Sequence, residues 1–297
     1  MNGASADSAP AVLVPRRRLE RIPREHRTAG RGAQLVGMGL LAASAVFPLY
    51  FMISGAFRTQ ADWNRSELGL PTTGSLSAFR QVWNAASLGT YLRNSAIVTV
   101  GTVTLALVIA AMAGYAFSHV EWRMRTPSYF FVLAWIAVPP IALLVPVYEE
   151  MNSFGLINTY WSVILLYTAL NTPFNVYLMS SYLRGISGDF AEAARMDGAN
   201  VHQIFGGIMV PLARPALATL AVFNFLFAWN EFIFALLLLQ TDSVKTATVG
   251  VVGLQGRFTV NYPELAAGLL ITSLPVIGIY LFFQRYLVRA IVAGGIK

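Results

Sequence analysis

The sequence of 297 residues contains no cysteine and only two lysines, and each absence excludes some chemistry. Without cysteine the chain has neither a disulfide framework nor a cysteine-ligated metal or iron–sulfur site. A phosphate-binding loop carries a glycine directly before its lysine. Neither Lys245 nor Lys297 follows a glycine, so this chain has no ATPase motif of that type.

Metal-ligating and charged residues are also few. The three histidines fall in three separate segments, and no His-x-x-x-His or Glu-x-x-His pair is present to hold a metal. We therefore assign no metal and no catalytic residue. Only 12% of the residues are charged, against about 25% in an ordinary soluble domain. Because 56% are hydrophobic, the chain needs an apolar environment as well as water.

Long apolar tracts indicate that this environment is a membrane, since a helix needs about 20 apolar residues to cross one. We predict an all-α, polytopic membrane protein with six transmembrane helices. Only the fifth tract contains an acidic or basic side chain, Glu231. The tracts are Ala33–Phe57, Asn94–Ser118, Thr126–Tyr148, Thr159–Leu183, Pro215–Gln240 and Leu265–Gln284.

The distribution of arginine predicts the topology. Seven arginines precede the first tract, and loops rich in Lys and Arg stay in the cytoplasm. With six spans both termini are cytoplasmic, and fifteen of the 21 Lys and Arg residues lie on the inner side. We expect residues 1–32 to be a disordered basic cytoplasmic tail and residues 33–297 to form the membrane domain. An export signal cleaved near 43–45 is an alternative that the length of the tract and the five later spans disfavour.

Two local features are visible between and within the spans. Apolar residues at Leu76, Phe79 and Trp83 follow a helical period, which predicts a short surface helix over 76–83. Three prolines, Pro139, Pro140 and Pro146, fall in the third span, where each removes a backbone donor. They favour a break in that span.

The segment 188–211, between the fourth and fifth spans, has the pattern of two short helices separated by a glycine. Asp189 with Glu192 predicts a capping box for the first helix, and Asn200 with Gln203 predicts one for the second. Gly198 is placed to end the first helix in a left-handed conformation. The second helix has an apolar stripe, which we expect to be available for docking. Its members are Val201, Ile204, Phe205 and Ile208.

This segment resembles the EAA loop of ABC-importer permeases. In that loop Glu-Ala-Ala is followed after three residues by Gly, after nine more by Ile, and one residue later by Leu-Pro. The chain departs only at Val210, where leucine is usual. The resemblance implies the type I permease fold and a coupling role, in which the loop sits in a cleft of a separate ATPase. The residues that it assigns to coupling are Glu192, Ala193, Ala194, Asp197, Gly198, Ile208 and Pro211.

Two further stretches resemble the carbohydrate type of these permeases. Residues 228–236 are similar to the signature of the fifth span, and 293–297 are similar to the tail of the maltose-transporter G subunit. In that family the tail contacts the ATPase. It comprises Gly294, Gly295, Ile296 and Lys297 here, one glycine short of the usual ending.

The resemblance implies a set of partners in the bacterial cytoplasmic membrane. The chain would form a heterodimer with a second permease and bind an ATPase dimer that carries ATP and Mg. An extracytoplasmic solute-binding protein would deliver a sugar or oligosaccharide, and no nucleic acid is involved. The chain itself needs no cofactor.

Candidate pathway residues lie at the end of the fifth span. An ionisable residue within a span usually faces a polar interior or a partner, and aromatic rings can stack on a sugar. On these grounds the candidates are Phe225, Trp229, Asn230 and Glu231. Three alternatives stay open: a secondary transporter driven by an ion gradient, an ABC permease for another polar solute, and a membrane-embedded enzyme. Of the intramembrane carboxylates that a secondary transporter needs, only Glu231 is present.

Overall fold

The computed structural model describes the backbone of residues 24–71, 74–85, 87–254 and 261–295. Side chains are described for 34–71, 74–84, 87–254 and 261–283. Within these ranges the chain is helical and has no β-strand.

The helices follow one another with short connections. In chain order they are α1 (Arg24–Ala56), α2 (Gln60–Arg65), α3 (Ser77–Ala85), α4 (Leu88–His119), α5 (Arg125–Ala134), α6 (Leu144–Ser153), α7 (Tyr160–Arg184), α8 (Asp189–Met196), α9 (Val201–Ile204), α10 (Val210–Leu212), α11 (Arg214–Asn230), α12 (Ile233–Leu238), α13 (Ala247–Val252) and α14 (Tyr262–Gly295). The predicted surface helix over 76–83 is α3.

The chain divides by its internal contacts into two units, Met1–Tyr50 and Phe51–Lys297. The division falls inside α1 and not at residue 33. That helix begins at Arg24, within the segment predicted as a disordered tail, and residues 1–23 lie outside the described residues. In the first unit the apolar side chains of α1 are exposed, for example Leu41 at 71%. An apolar helix with so much exposed side-chain surface suits a lipid environment.

A helix is present at each of the six predicted spans, which agrees with the predicted fold class. By length and composition, three described helices are fit to cross a membrane, or up to five if each bent pair is one span. The remaining tract, α7, has 25 residues and is long enough. It is less apolar because it buries polar side chains against its neighbours, among them Ser162, Thr168, Asn175 and Ser180.

Two spans are interrupted. The third bends by 93° between residues 125–137 and 140–153, at the Pro139-Pro140 pair, as the prolines predict. The fifth was predicted as one tract, 215–240, but consists of α11 and α12 with extended backbone at Glu231, where ψ is 131°. A second bend, of 72°, joins residues 201–212 to α11. It marks the transition into the fifth span from the segment 188–211, which we name the coupling segment after the role that the resemblance implies.

Close packing of α4 on α7 forms the centre of the second unit. Glycines on α4 allow this approach, since small residues let membrane helices come near each other. A Cβ built on Gly101 would lie 2.8 Å from Cδ1 of Ile164. One on Gly114 would overlap Met179 and lie 3.2 Å from the backbone nitrogen of Ser180.

Buried amides fix the register of these helices. Asn175 on α7 and Asn224 on α11 exchange two hydrogen bonds, of 3.1 and 3.0 Å, and each residue is 1% exposed. Near the N-terminal end of α4, Asn94 accepts a hydrogen bond from the Tyr160 hydroxyl and donates to the carbonyls of Ser243 and Lys245. Each buried polar group is costly without a partner, so these pairs specify one arrangement of α4, α7 and α11.

The packing predicts the effect of Gly114→Ala. The added methyl group must displace Met179 and the adjacent backbone of α7, which costs about 1–3 kcal/mol in a packed core. We expect a lower unfolding temperature in detergent. Gly278→Ala in α14 is the matched control because a Cβ there meets no atom within 4 Å. Equal unfolding temperatures for the two variants would contradict the proposed close contact.

Candidate functional site

The first helix of the coupling segment, α8, begins differently from the prediction. Its N-cap is Gly188, whose dihedral angles are already helical, and no side chain caps it. The prediction of a capping box formed by Asp189 and Glu192 is therefore wrong. The amide of Asp189 instead donates to the Ser187 hydroxyl at 3.3 Å. Both carboxylates lie in the first turn, where negative charge interacts favourably with the helix dipole.

The turn after α8 forms around Gly198 as predicted. Its φ is +85°, which is accessible to glycine and strained for other residues. The amide of Gly198 donates to the carbonyl of Arg195, and the amide of Ala199 donates to that of Ala194, at 3.0 and 2.9 Å. These two bonds form a Schellman motif, which ends the helix and reverses the chain.

The second helix starts at a complete capping box. The amide of Gln203 donates to Asn200 Oδ1 at 3.0 Å, and the amide of Asn200 donates to Gln203 Oε1 at 2.8 Å. This prediction is confirmed. One π-helical stretch, Phe205–Met209, then leads into α10. The two helices and their turn are thus defined by local hydrogen bonds.

Most of the apolar stripe of the second helix is not available for docking, contrary to expectation, and of its four residues only Val201 is exposed. Ile204 is fully buried, and Phe205 and Ile208 are partly buried against the same cluster. Ala191 and Ala194 of α8 are buried there too. The cluster also contains the ends of three spans, through Tyr115 of α4, Met179 and Leu183 of α7, and Ala216 and Leu220 of α11.

The opposite side of the segment is exposed. Met196, at the end of α8, is 88% exposed, and Val201 is 49% exposed. Beside them Glu192, Ala193, Asp197 and Gly198 are exposed as well. Periodicity did not identify Met196, because one exposed methionine leaves no pattern. The burial is consistent with a segment that packs on its own spans with one face and presents an acidic, partly apolar face outward.

Glu231 occupies the break in the fifth span and has three donors of its own chain. The Tyr167 hydroxyl donates to Oε2 at 2.5 Å, and the amides of Phe234 and Ala235 donate to Oε1 and Oε2 at 2.9 and 3.0 Å. The last two are first-turn amides of α12, so the carboxylate caps that helix.

The other pathway candidates differ in their surroundings. Trp229 is buried, donates from Nε1 to the carbonyl of Thr272 on α14 at 3.0 Å, and stacks on Phe225. Asn230 is exposed and donates to the carbonyl of Leu226. Of the four residues, Asn230 is thus the most accessible.

The remaining assignments concern the C-terminal tail and metals. Ile296 and Lys297 lie outside the described residues, and of Gly294 and Gly295 only the backbone is described, at the end of α14. Pro211 lies in α10 and is partly buried. Across the described part of the chain, no three His, Asp or Glu side chains converge as metal ligands would.

A multi-span helical chain with a folded segment between two spans is the architecture expected of a transport permease. Residues 103–292 match the family model of the binding-protein-dependent transport system inner membrane component. The chain belongs to this family.

Relatives and a solved structure agree. The chain is 32% identical over 266 residues to the arabinooligosaccharides transport system permease protein AraQ of Halalkalibacterium halodurans, covering 88% of this chain and 95% of that one. It is 30% identical over 300 residues to the diacetylchitobiose uptake system permease protein NgcG of Streptomyces coelicolor, covering 99% of each. A subunit of a bacterial ABC transporter involved in the import of alginate superposes with a TM-score of 0.79 at 26% identity, over 90% of this chain and 99% of that one.

The capped break predicts that Glu231→Gln is destabilising. Glutamine offers one acceptor oxygen, and its amide group then faces a donor, so one buried hydrogen bond is lost at a cost of about 1–3 kcal/mol. We expect a lower unfolding temperature in detergent. Tyr167→Phe removes one of the three donors, leaves both helix amides paired, and should cost less. A Glu231→Gln variant as stable as the wild type would show that the carboxylate does not hold the break.

Proposed function

We propose that this permease is one half of the membrane pore of an ATP-driven importer of sugars or oligosaccharides. A second permease would supply the other half, and two ATPase subunits, which carry ATP and Mg, would bind at the cytoplasmic side. An extracytoplasmic binding protein would deliver the cargo. The observation that carries the proposal is the folded coupling segment 188–211, with one face buried among its own spans and the other exposed.

The exposed face is suited to a partner. It offers the protruding apolar side chain of Met196 beside three carboxylates, Asp189, Glu192 and Asp197, with Arg195 and His202 as its basic groups. A basic cleft on the ATPase would complement this charge. We place this segment and both termini in the cytoplasm, in accord with the arginine distribution.

Sugar as cargo is supported by the solutes for which the relatives are named. AraQ and NgcG are named for arabinooligosaccharides and diacetylchitobiose, and SugB of Mycobacterium tuberculosis, 30% identical over 260 residues, for trehalose. The alternative of an ion-driven transporter loses its main candidate, because the Glu231 carboxylate is occupied by three donors of its own chain. An importer of another polar solute is an outcome of the transport test.

The coupling proposal predicts that Gly198→Val uncouples transport from ATP hydrolysis. Valine at φ +85° costs on the order of 1–3 kcal/mol, so the turn should distort and α9 should lose its direction. We expect cargo-stimulated ATP hydrolysis and uptake of the sugar or oligosaccharide cargo to fall sharply while the chain stays in the membrane. Gly188→Val is the matched control, since Gly188 has φ of −61° and open space around it.

A second variant separates coupling from folding. Glu192→Lys reverses an exposed charge without straining the backbone, and should also reduce stimulated hydrolysis. Normal stimulation in both Gly198→Val and Glu192→Lys would refute the coupling role. Intact ATP-dependent uptake of a different solute, with no response to sugars, would refute only the cargo.

A further inference from the structure

A cavity of about 350 Å³ lies where α4 ends, α5 begins and α7 ends. The coupling segment begins four residues after α7, so the cavity is at the same end of the spans as that segment. We name it the arginine pocket after two of its lining residues. The lining residues are Phe117, Arg125, Thr126, Tyr129, Phe130 and Arg184.

One wall of the arginine pocket is fixed. Tyr129 is 8% exposed, and its hydroxyl accepts a bond from Ser180 Oγ at 3.2 Å. Its ring lies 5.4 Å from that of Phe117. The guanidinium of Arg184 lies over the Tyr129 ring with its Cζ 4.7 Å from the centroid, a cation–π arrangement. This contact holds the guanidinium of Arg184 against the wall of the pocket.

None of the described side chains neutralises the positive charge of the pocket through an ion pair. The ion pair found among the described side chains is Lys245 with Asp242, far along the sequence from the pocket. Within that part of the chain no carboxylate comes within ion-pair distance of Arg125 or Arg184. Glu121 and Arg125 both line an adjoining cavity, but the Glu121 carboxylate lies beyond ion-pair distance of the Arg125 guanidinium. Two guanidinium groups on a shared cavity are suited to a phosphate, which they bind through paired hydrogen bonds.

The side of the pocket that continues along α5 is apolar and exposed. Phe130 is 62% exposed and Phe131 is 68% exposed, and both lie in the first half of the third span. In a membrane these rings face acyl chains or the interface. A ligand that fills the whole site therefore needs an anionic head and an apolar tail.

We propose that the arginine pocket binds the phosphate of an anionic phospholipid, with an acyl chain along Phe130 and Phe131. Basic pockets between helices at the cytoplasmic side are known to suit such head groups. The site is independent of the cargo. It would place a lipid beside the start of the coupling segment, next to the end of α7.

The test compares lipid binding by full-length protein in detergent, using native mass spectrometry with phosphatidylglycerol and phosphatidylcholine. We expect phosphatidylglycerol to bind the wild type preferentially. The double variant Arg125→Gln/Arg184→Gln should bind it roughly twentyfold to thirtyfold more weakly, because each arginine near a membrane surface strengthens anionic-lipid binding about fivefold. Arg123→Gln is the matched control, an exposed arginine outside the pocket lining.

Further arms distinguish the source of the phosphate and guard against misfolding. Glycerol 3-phosphate, which has the head group without acyl chains, should not displace the lipid at equal concentration; displacement would overturn the lipid assignment in favour of a soluble phosphate. The single variant Arg184→Lys keeps the charge and loses the planar fork, so it should bind with intermediate strength. Equal lipid binding by the wild type and the double variant would refute the proposal. It would also be refuted if the double variant lost a partner subunit while its lipid binding stayed unchanged, because the two arginines would then serve a protein contact.

Discussion

The burial of one face of the coupling segment among the ends of its own spans is the contact on which the rest of the arrangement depends. Ile204, Ala191 and Ala194 share a cluster with Tyr115 of α4 and Met179 of α7. Packed side chains at interior density do not deform continuously, so a displacement of the segment is passed to the helices that it contacts. The Schellman turn at Gly198 and the capping box at Asn200 define, by local hydrogen bonds, where the first helix of the segment ends and the second begins.

Polar residues lie deep in this apolar chain because they supply hydrogen-bond partners to one another and to the backbone. In lipid, a backbone break leaves groups without water, and the chain must supply their partners. The break in the fifth span is satisfied by Glu231, which accepts from Tyr167 and from two amides of α12. The paired amides of Asn175 and Asn224 act similarly between α7 and α11. The central helices therefore have one favoured register, and the coupling segment has a defined body to act on.

Local patterns in the sequence predicted local structure well. The apolar tracts located a helix at each of the six spans, the proline pair located the 93° bend, and Gly198 and Asn200 were identified by the chemistry of caps. The predicted capping box of Asp189 does not form, because Gly188 is already helical and the Ser187 hydroxyl accepts the hydrogen bond from the Asp189 amide. The sequence alone does not decide which of two neighbouring residues, here Gly188 or Asp189, is the N-cap of a helix.

Contacts between distant residues were beyond such patterns. Periodicity shows that the second coupling helix has an apolar stripe but not what covers it, and the cover turned out to be this chain's own spans. The Tyr167 hydroxyl that donates to Glu231 is 64 residues away in the sequence, and Arg184 lies over the ring of Tyr129, 55 residues earlier in the chain.

The most direct test of the coupling account is cross-linking from Met196, the most exposed large apolar side chain of the segment. Because the chain has no cysteine, Met196→Cys can carry a single photoreactive maleimide, and Ser153→Cys at the end of α6 serves as the control. In the assembled importer, illumination should join the permease to the ATPase from position 196 and not from position 153. A transport-competent importer in which position 196 yields no ATPase adduct would contradict the proposal that this face docks on the ATPase.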